Sequence, residues 1–147
     1  SVVVLCSAAI QRVISGITMP TVARWALTLG LFKIRAKILA LCERREIKGF
    51  ITPIIISNIY YLLRKINTHE RNIEILKMLL SIVDIAIITK ETILKALNSN
   101  FKDFEDALQN FSAEQNGTIN TIITRNTKDY KKSNLGVITP EDFLKTN

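Results

Sequence analysis

Three carboxylates crowd one short stretch of this 147-residue chain: Asp103, Glu105 and Asp106. They open an amphipathic segment in which Leu108, Phe111 and Ser112 follow at helical spacing, and Asn116-Gly117 supplies a stop signal. A β-branched run, Ile119, Ile122 and Ile123, comes next and ends at Thr124-Arg125-Asn126, with Asp129 three residues on. Carboxylate oxygens are what hard divalent cations take as ligands. Thr124 and Arg125 are of types that bind phosphate. A plainer role competes: Asp103 is a natural helix N-cap, and Asp106 suits the positive end of the same helix.

For these groups to meet, a helix must deliver the acids and a buried strand must end at the polar turn. In an open α/β sheet, ligands bind beyond the carboxyl ends of the strands, so acids and turn should face one crevice. The rest of the chain supplies matching elements. Residues 2–5 form a continuous apolar run, as in a buried parallel strand. Residues 21–43 read mostly as helix, 44–49 as a turn and 50–51 as a very short strand. Thr52-Pro53 starts a helix to about residue 66, with Ile55, Ile59, Leu62 and Leu63 inward and Tyr60 and Arg64 on a more exposed face. Asn67 and Glu70 resemble a capping box for a helix to about residue 80, with Ile73, Leu76, Leu79 and Leu80 on one side. Residues 83–88 read as a strand. Thr89 caps a helix over 90–97 that packs Ile93, Leu94 and Leu97. The acidic helix from Asp103 follows, then strands over 119–124 and 135–138, and Thr139-Pro140 begins a last helical turn. Strands alternating with helices predict a three-layer α/β domain with a central parallel sheet.

Several stretches carry a family resemblance: "DFEDALQ" at 103–109, "IITRN..DY" at 122–130, "GFITPIIISNIYYLLRK" at 49–65 and "VITPEDFL" at 137–144. Together they resemble the PIN domain family of small α/β nucleases, which includes toxins of the VapC type. The resemblance covers about residues 41–144 and is poor before them, and it makes residues 1–147 a single PIN-like domain. It implies a strand order of 3-2-1-4-5 with the acidic site at the strand carboxyl ends. It also implies cleavage of RNA, or binding of RNA or another nucleic acid, with Mg²⁺ or Mn²⁺ as cofactor. Such an ion lowers the pKa of its bound water and stabilises charge on the scissile phosphate.

Carried over residue by residue, the family's first acid falls on Cys6 or on Ile17-Thr18-Met19, and the second on Asn58. The third falls on Asp106, one turn after Asp103, and the fourth on Asn126, three residues before Asp129. The resemblance thus implies Asp106 and Asp103 as catalytic residues. Asp106, Asp103 and Asp129 would be the metal ligands, and Asn58, Thr124, Arg125 and Asn126 the substrate-binding residues. Because three family acids are missing, a second expectation is a non-catalytic interaction module that takes a protein partner. An antitoxin-like protein and a homodimer are the partners that toxin-type members imply.

Composition bounds these readings. Hydrophobic residues make up 48% of the chain, enough for one real core. Cys6 and Cys42 lie in apolar surroundings, as core thiols of a reducing cytoplasm would. His69 is the only histidine, which leaves a His-based triad little support. No G-x-G-x-x-G, P-loop or nucleophile elbow is present. The net charge is +7, unevenly spread: residues 1–68 carry ten Lys/Arg against two acids, and the remainder ten against eleven. A basic half attracts phosphates. Tyr60 and Tyr61 before Arg64-Lys65 are of types that stack bases and hold phosphates, although such residues more often form core and rim. Residues 1–41 hold no Asp, Glu or Asn, which fits an Arg-containing targeting segment, a diverged strand and helix, or a shifted reading frame. A membrane span there is disfavoured, since residues 17–32 are few and Arg24 sits among them.

Overall fold

The computed structural model describes residues 2–5 and 33–146. Along these residues run β1 (Val2–Leu5), α1 (Lys33–Glu43), β2 (Lys48–Ile51), α2 (Pro53–Leu63), α3 (His69–Ile82), β3 (Asp84–Ile85), α4 (Lys90–Leu97), α5 (Phe104–Asn116), β4 (Thr121–Ile123), β5 (Gly136–Ile138) and α6 (Pro140–Thr146). The strands form one sheet in the order β3-β2-β1-β4-β5, and every neighbouring pair is parallel. β1 is central: its Val4 lies level with Phe50 of β2 on one side and with Ile122 of β4 on the other. The chain first builds outward from β1 through β2 and β3, then returns to the far side of β1 with β4 and β5. The switch between β1 and β4 is where such a sheet leaves a crevice at its carboxyl ends.

Successive strand residues point to opposite faces, and each face is covered. Val3, Ile51 and Ile123 join a core with Ile38 and Cys42 of α1, Ile55 and Ile59 of α2, Leu76 and Leu79 of α3, and Phe143 of α6. Phe50 and Ile122 face the other way, packing with Ala113 of α5, Ile119 and Tyr130. Gly49 lets α1 lie close on β2, since a Cβ there would sit 2.6 Å from Cys42 Sγ. That thiol is buried, and burial pushes its pKa up to about 11, so it stays neutral. Gly117 ends α5 in the left-handed conformation at φ 72°, which glycine adopts without strain. Among the described residues, no helix is long and apolar enough to cross a membrane.

Several sequence expectations need correction. The turn expected over 44–49 is partly strand, because Lys48 and Gly49 pair with Val2 and Val3. α2 stops at Leu63 rather than residue 66. Thr68, not Asn67, caps α3: its hydroxyl accepts the Arg71 N–H at 3.3 Å. The strand expected over 83–88 shrinks to Asp84–Ile85, a short outer edge. On α3 the buried face is Asn72, Ile75, Leu76 and Leu79, which leaves Leu80 exposed. The largest departure is α4, whose Ile93, Leu94 and Leu97 are exposed. Its buried residues are Thr92 and Ala96, and Ala96 meets Ala107 and Leu108 of α5. α4 packs by its small residues onto another helix, so its larger apolar residues are left outside. Residues 6–32, including most of the helix expected over 21–43, lie outside the described residues.

Candidate active site

Two local structures deliver the site. Asp103 caps α5, its Oδ1 accepting the Asp106 N–H at 3.0 Å, and this fixes where the first turn puts Glu105 and Asp106. Both acids lie in the first turn, at the positive end of the helix dipole. On the other side, β4 runs into Thr124, whose N–H donates to Ile138 O and whose buried hydroxyl accepts the Asn126 N–H at 3.1 Å. Backbone bonds from Asp129 N to Asn126 O and from Tyr130 N to Thr127 O then wind residues 126–130 into a tight turn. The turn swings Asn126, Asp129 and Tyr130 toward α5.

They meet at Asp106. Tyr130 donates its hydroxyl to Asp106 Oδ1 at 2.9 Å, and Asn126 donates Nδ2 to Asp106 Oδ2 at 3.0 Å. The same Asn126 nitrogen donates to Asp129 Oδ2 at 2.6 Å. A single neutral amide therefore spans two carboxylates that would otherwise repel each other. Half-buried, Asp106 has its pKa raised, chiefly by desolvation. The bonds from Tyr130 and Asn126 oppose this, and the charges of Asp103 and Asp129 add to it. A second pair lies one residue back on α5. Asn58 of α2 donates to both Glu105 oxygens, at 3.4 and 3.3 Å, and Gln109 donates to Glu105 Oε1 at 3.0 Å.

The structure therefore brings Asp106, Asn126 and Asp129 together, with Asp103 joined to them through the helix cap. Asn58 reaches Glu105 rather than Asp106. Arg125 is exposed and pairs with Glu141 of α6. Thr124 is buried and holds the turn. Both asparagines meet carboxylates through their amide nitrogens, the end that donates and does not ligate a cation. Cys6 and residues 17–19, where the family's first acid was placed, lie outside the described residues. Sequence reasoning missed Tyr130 and Glu105. Glu105 stood in the acidic cluster but was given no role at the site, and Tyr130, in a loop, carried no local signal.

A resident Mg²⁺ or Mn²⁺ has to be weighed against these groups. Among the described residues, no three His, Cys, Asp or Glu side chains are grouped to hold a metal ion. Two carboxylates, Asp106 and Asp129, do come within reach of one donor. Mg²⁺ is commonly held by one or two carboxylates with water and phosphate oxygens completing its shell, and the pair falls within that range.

Comparison with known proteins adds the lineage. A sequence model of the PIN domain family matches residues 21–128. Among solved structures, the fold is similar to a chain in the crystal structure of VapBC2 from Rickettsia felis bound to a DNA fragment from their promoter. The TM-score is 0.56 at 15% identity, over 95% of this chain and 98% of that one. At that identity the likeness shows the fold alone. No curated protein sequence matches the chain.

Proposed function

The chain belongs to the PIN domain family, and from that premise we propose that it binds RNA at the carboxyl end of its sheet and cleaves the phosphodiester backbone. The observation that carries this reading is the Asn126 amide bridging Asp106 and Asp129, because it gathers acids from two separate parts of the chain into one crevice. Asp106 and Asp129 would hold Mg²⁺ or Mn²⁺, with Asp103 assisting by fixing the helix start. The bound ion would supply a water of lowered pKa and offset charge on the phosphate. Asp106 is the group that would orient that water and take its proton. Tyr130 and Asn126 keep its carboxylate turned into the crevice. Arg125 would hold a substrate phosphate. Its exposed pairing with Glu141 is of a kind worth about 0–1 kcal/mol, so a phosphate competes readily for the guanidinium. Asn58 lines the opposite wall, and Thr124 positions Asn126 from beneath.

Purified protein incubated with RNA and Mn²⁺, beside an Asp106→Ala control, tests this. The parent should cut and the variant should be slower by roughly 100-fold or more. Equal cleavage by both would sink the reading. An antitoxin-like protein remains the partner we propose for the crevice, and the exposed Ile93, Leu94 and Leu97 of α4 offer it apolar surface. Recovery from the native host as a lone monomer would count against that partner and against a homodimer.

A further inference from the structure

We propose that the outer face of α2 carries single-stranded RNA away from the acidic crevice, with Tyr61 stacking on a base and Lys65 holding the backbone. This rests on the nuclease reading above and adds how its substrate lies. Asn58, Tyr61, Leu62 and Lys65 line one shallow recess of about 290 Å³. Lys65 also lines the next, of about 450 Å³, together with Arg64, Asn67, Thr68 and Arg71. The two adjoin at that lysine. Asn58 and Tyr61 lie three residues apart on one side of α2, and Lys65 follows in the turn just past its end, on the same recess. The track begins at the site itself, since Asn58 donates to Glu105, the residue beside Asp106.

The side chains along it differ in what they are free to do. Tyr60, expected on the exposed face, is half-buried and engaged: its hydroxyl is 2.8 Å from His69 Nδ1 and accepts from Arg64 Nη1 at 3.1 Å. The Arg64 guanidinium also sits 5.9 Å from the centre of the Tyr60 ring. Arg71 is held by Glu74 at 2.9 Å. Tyr61, by contrast, is 67% exposed, touching only the edge of Tyr60 among ring contacts. Neither the Tyr61 hydroxyl nor the Lys65 ammonium has a hydrogen-bond or ion-pair partner among the described residues. An exposed aromatic ring and an unpaired cation one turn apart are the two elements of sequence-tolerant single-strand binding. They lie in the half of the chain where cations outnumber acids.

Fluorescence anisotropy with a labelled single-stranded RNA of about 12 nucleotides, in EDTA to prevent cleavage, tests the track. Tyr61→Ala should weaken binding roughly tenfold, while Tyr61→Phe stays within about twofold of the parent. Lys65→Ala should make the salt dependence of log K shallower by about 0.7. A parent that binds and cuts RNA while all three variants bind as it does overturns the track and leaves the nuclease reading standing. A parent that binds but does not cut, with Tyr61→Ala weakened, supports the track and overturns the cleavage. A parent that neither binds nor cuts overturns both.

Discussion

Tyr130→Ala is expected to lower the free energy of unfolding by about 3–5 kcal/mol, a large share of the roughly 5–15 kcal/mol that holds a domain folded. The ring is 1% exposed and packs with Ala113, Ile119 and Ile122 on one face of the sheet. It meets Phe101 edge to face at 5.6 Å, and Phe101 meets Phe111 in the same way at 5.8 Å. Each such aromatic pair adds about 0.5–1.5 kcal/mol beyond burial. Truncation removes the ring, opens a cavity and strips Asp106 of a donor together. Tyr130→Phe separates these effects: the ring's packing stays and the hydroxyl's bond to Asp106 is lost, and a hydrogen bond to a charged group is worth about 1.5–3 kcal/mol. Urea unfolding followed by circular dichroism reads both variants. A Tyr130→Ala midpoint close to the parent's would mean that the ring is not part of the core.

Asn126→Asp should make the crevice respond to metal. In the parent, the amide satisfies Asp106 and Asp129 at once. A carboxylate in its place removes both bonds and adds a third negative charge. Two carboxylates about 4 Å apart repel by roughly 1–4 kcal/mol, depending on the effective dielectric. For a chain of this length, each kcal/mol lowers the melting temperature by about 2–4 °C, so the metal-free variant should melt several degrees below the parent. Divalent cation then reverses the deficit. At a hundred times its dissociation constant, a ligand of the folded state adds about 2.7 kcal/mol, so millimolar Mn²⁺ should raise the variant by roughly 5–10 °C. The parent, with two carboxylates, should rise less.

Asp106→Asn is the contrasting case. Because the folded-state pKa of Asp106 is raised, the folded chain holds that proton more tightly than the unfolded chain. This contribution favours the fold below about pH 4 and is lost as pH rises through the higher folded value. The metal-free Asp106→Asn protein should therefore gain on the parent across that window, and it should lose most of the response to Mn²⁺. Melting curves of Asn126→Asp that match the parent's, with and without Mn²⁺, would show that side chain 126 does not face the acids.

How much of this was legible beforehand depended on which residues carried a local signal. Asp103 announced a helix start, and the run through Ile122 and Ile123 announced a strand, so the meeting of Asp106 with the turn after β4 could be read from pattern alone. Tyr130 could not. It follows Lys128 and Asp129 in a polar loop, and no periodicity says which loop residue folds inward. Asn58 was placed at the site by resemblance, but its hydrogen bond to Glu105 depends on how α2 and α5 lie against each other, which is a tertiary fact. α4 misled for a related reason. Its apolar spacing at Ile93, Leu94 and Leu97 marks a face but not which neighbour the helix meets, and Ala96 and Thr92 took the contact with α5.

The Asn126 bridge has a further consequence, in the genetics of the site. Codons for asparagine and aspartate differ at one base, so the amide between Asp106 and Asp129 stands a single point mutation from a carboxylate. Asn58 has no such short route to glutamate, which needs two base changes. Charge at position 126, between the two acids, is thus one base change away. Thr124 and Tyr130, which hold the turn in place, need not change with it.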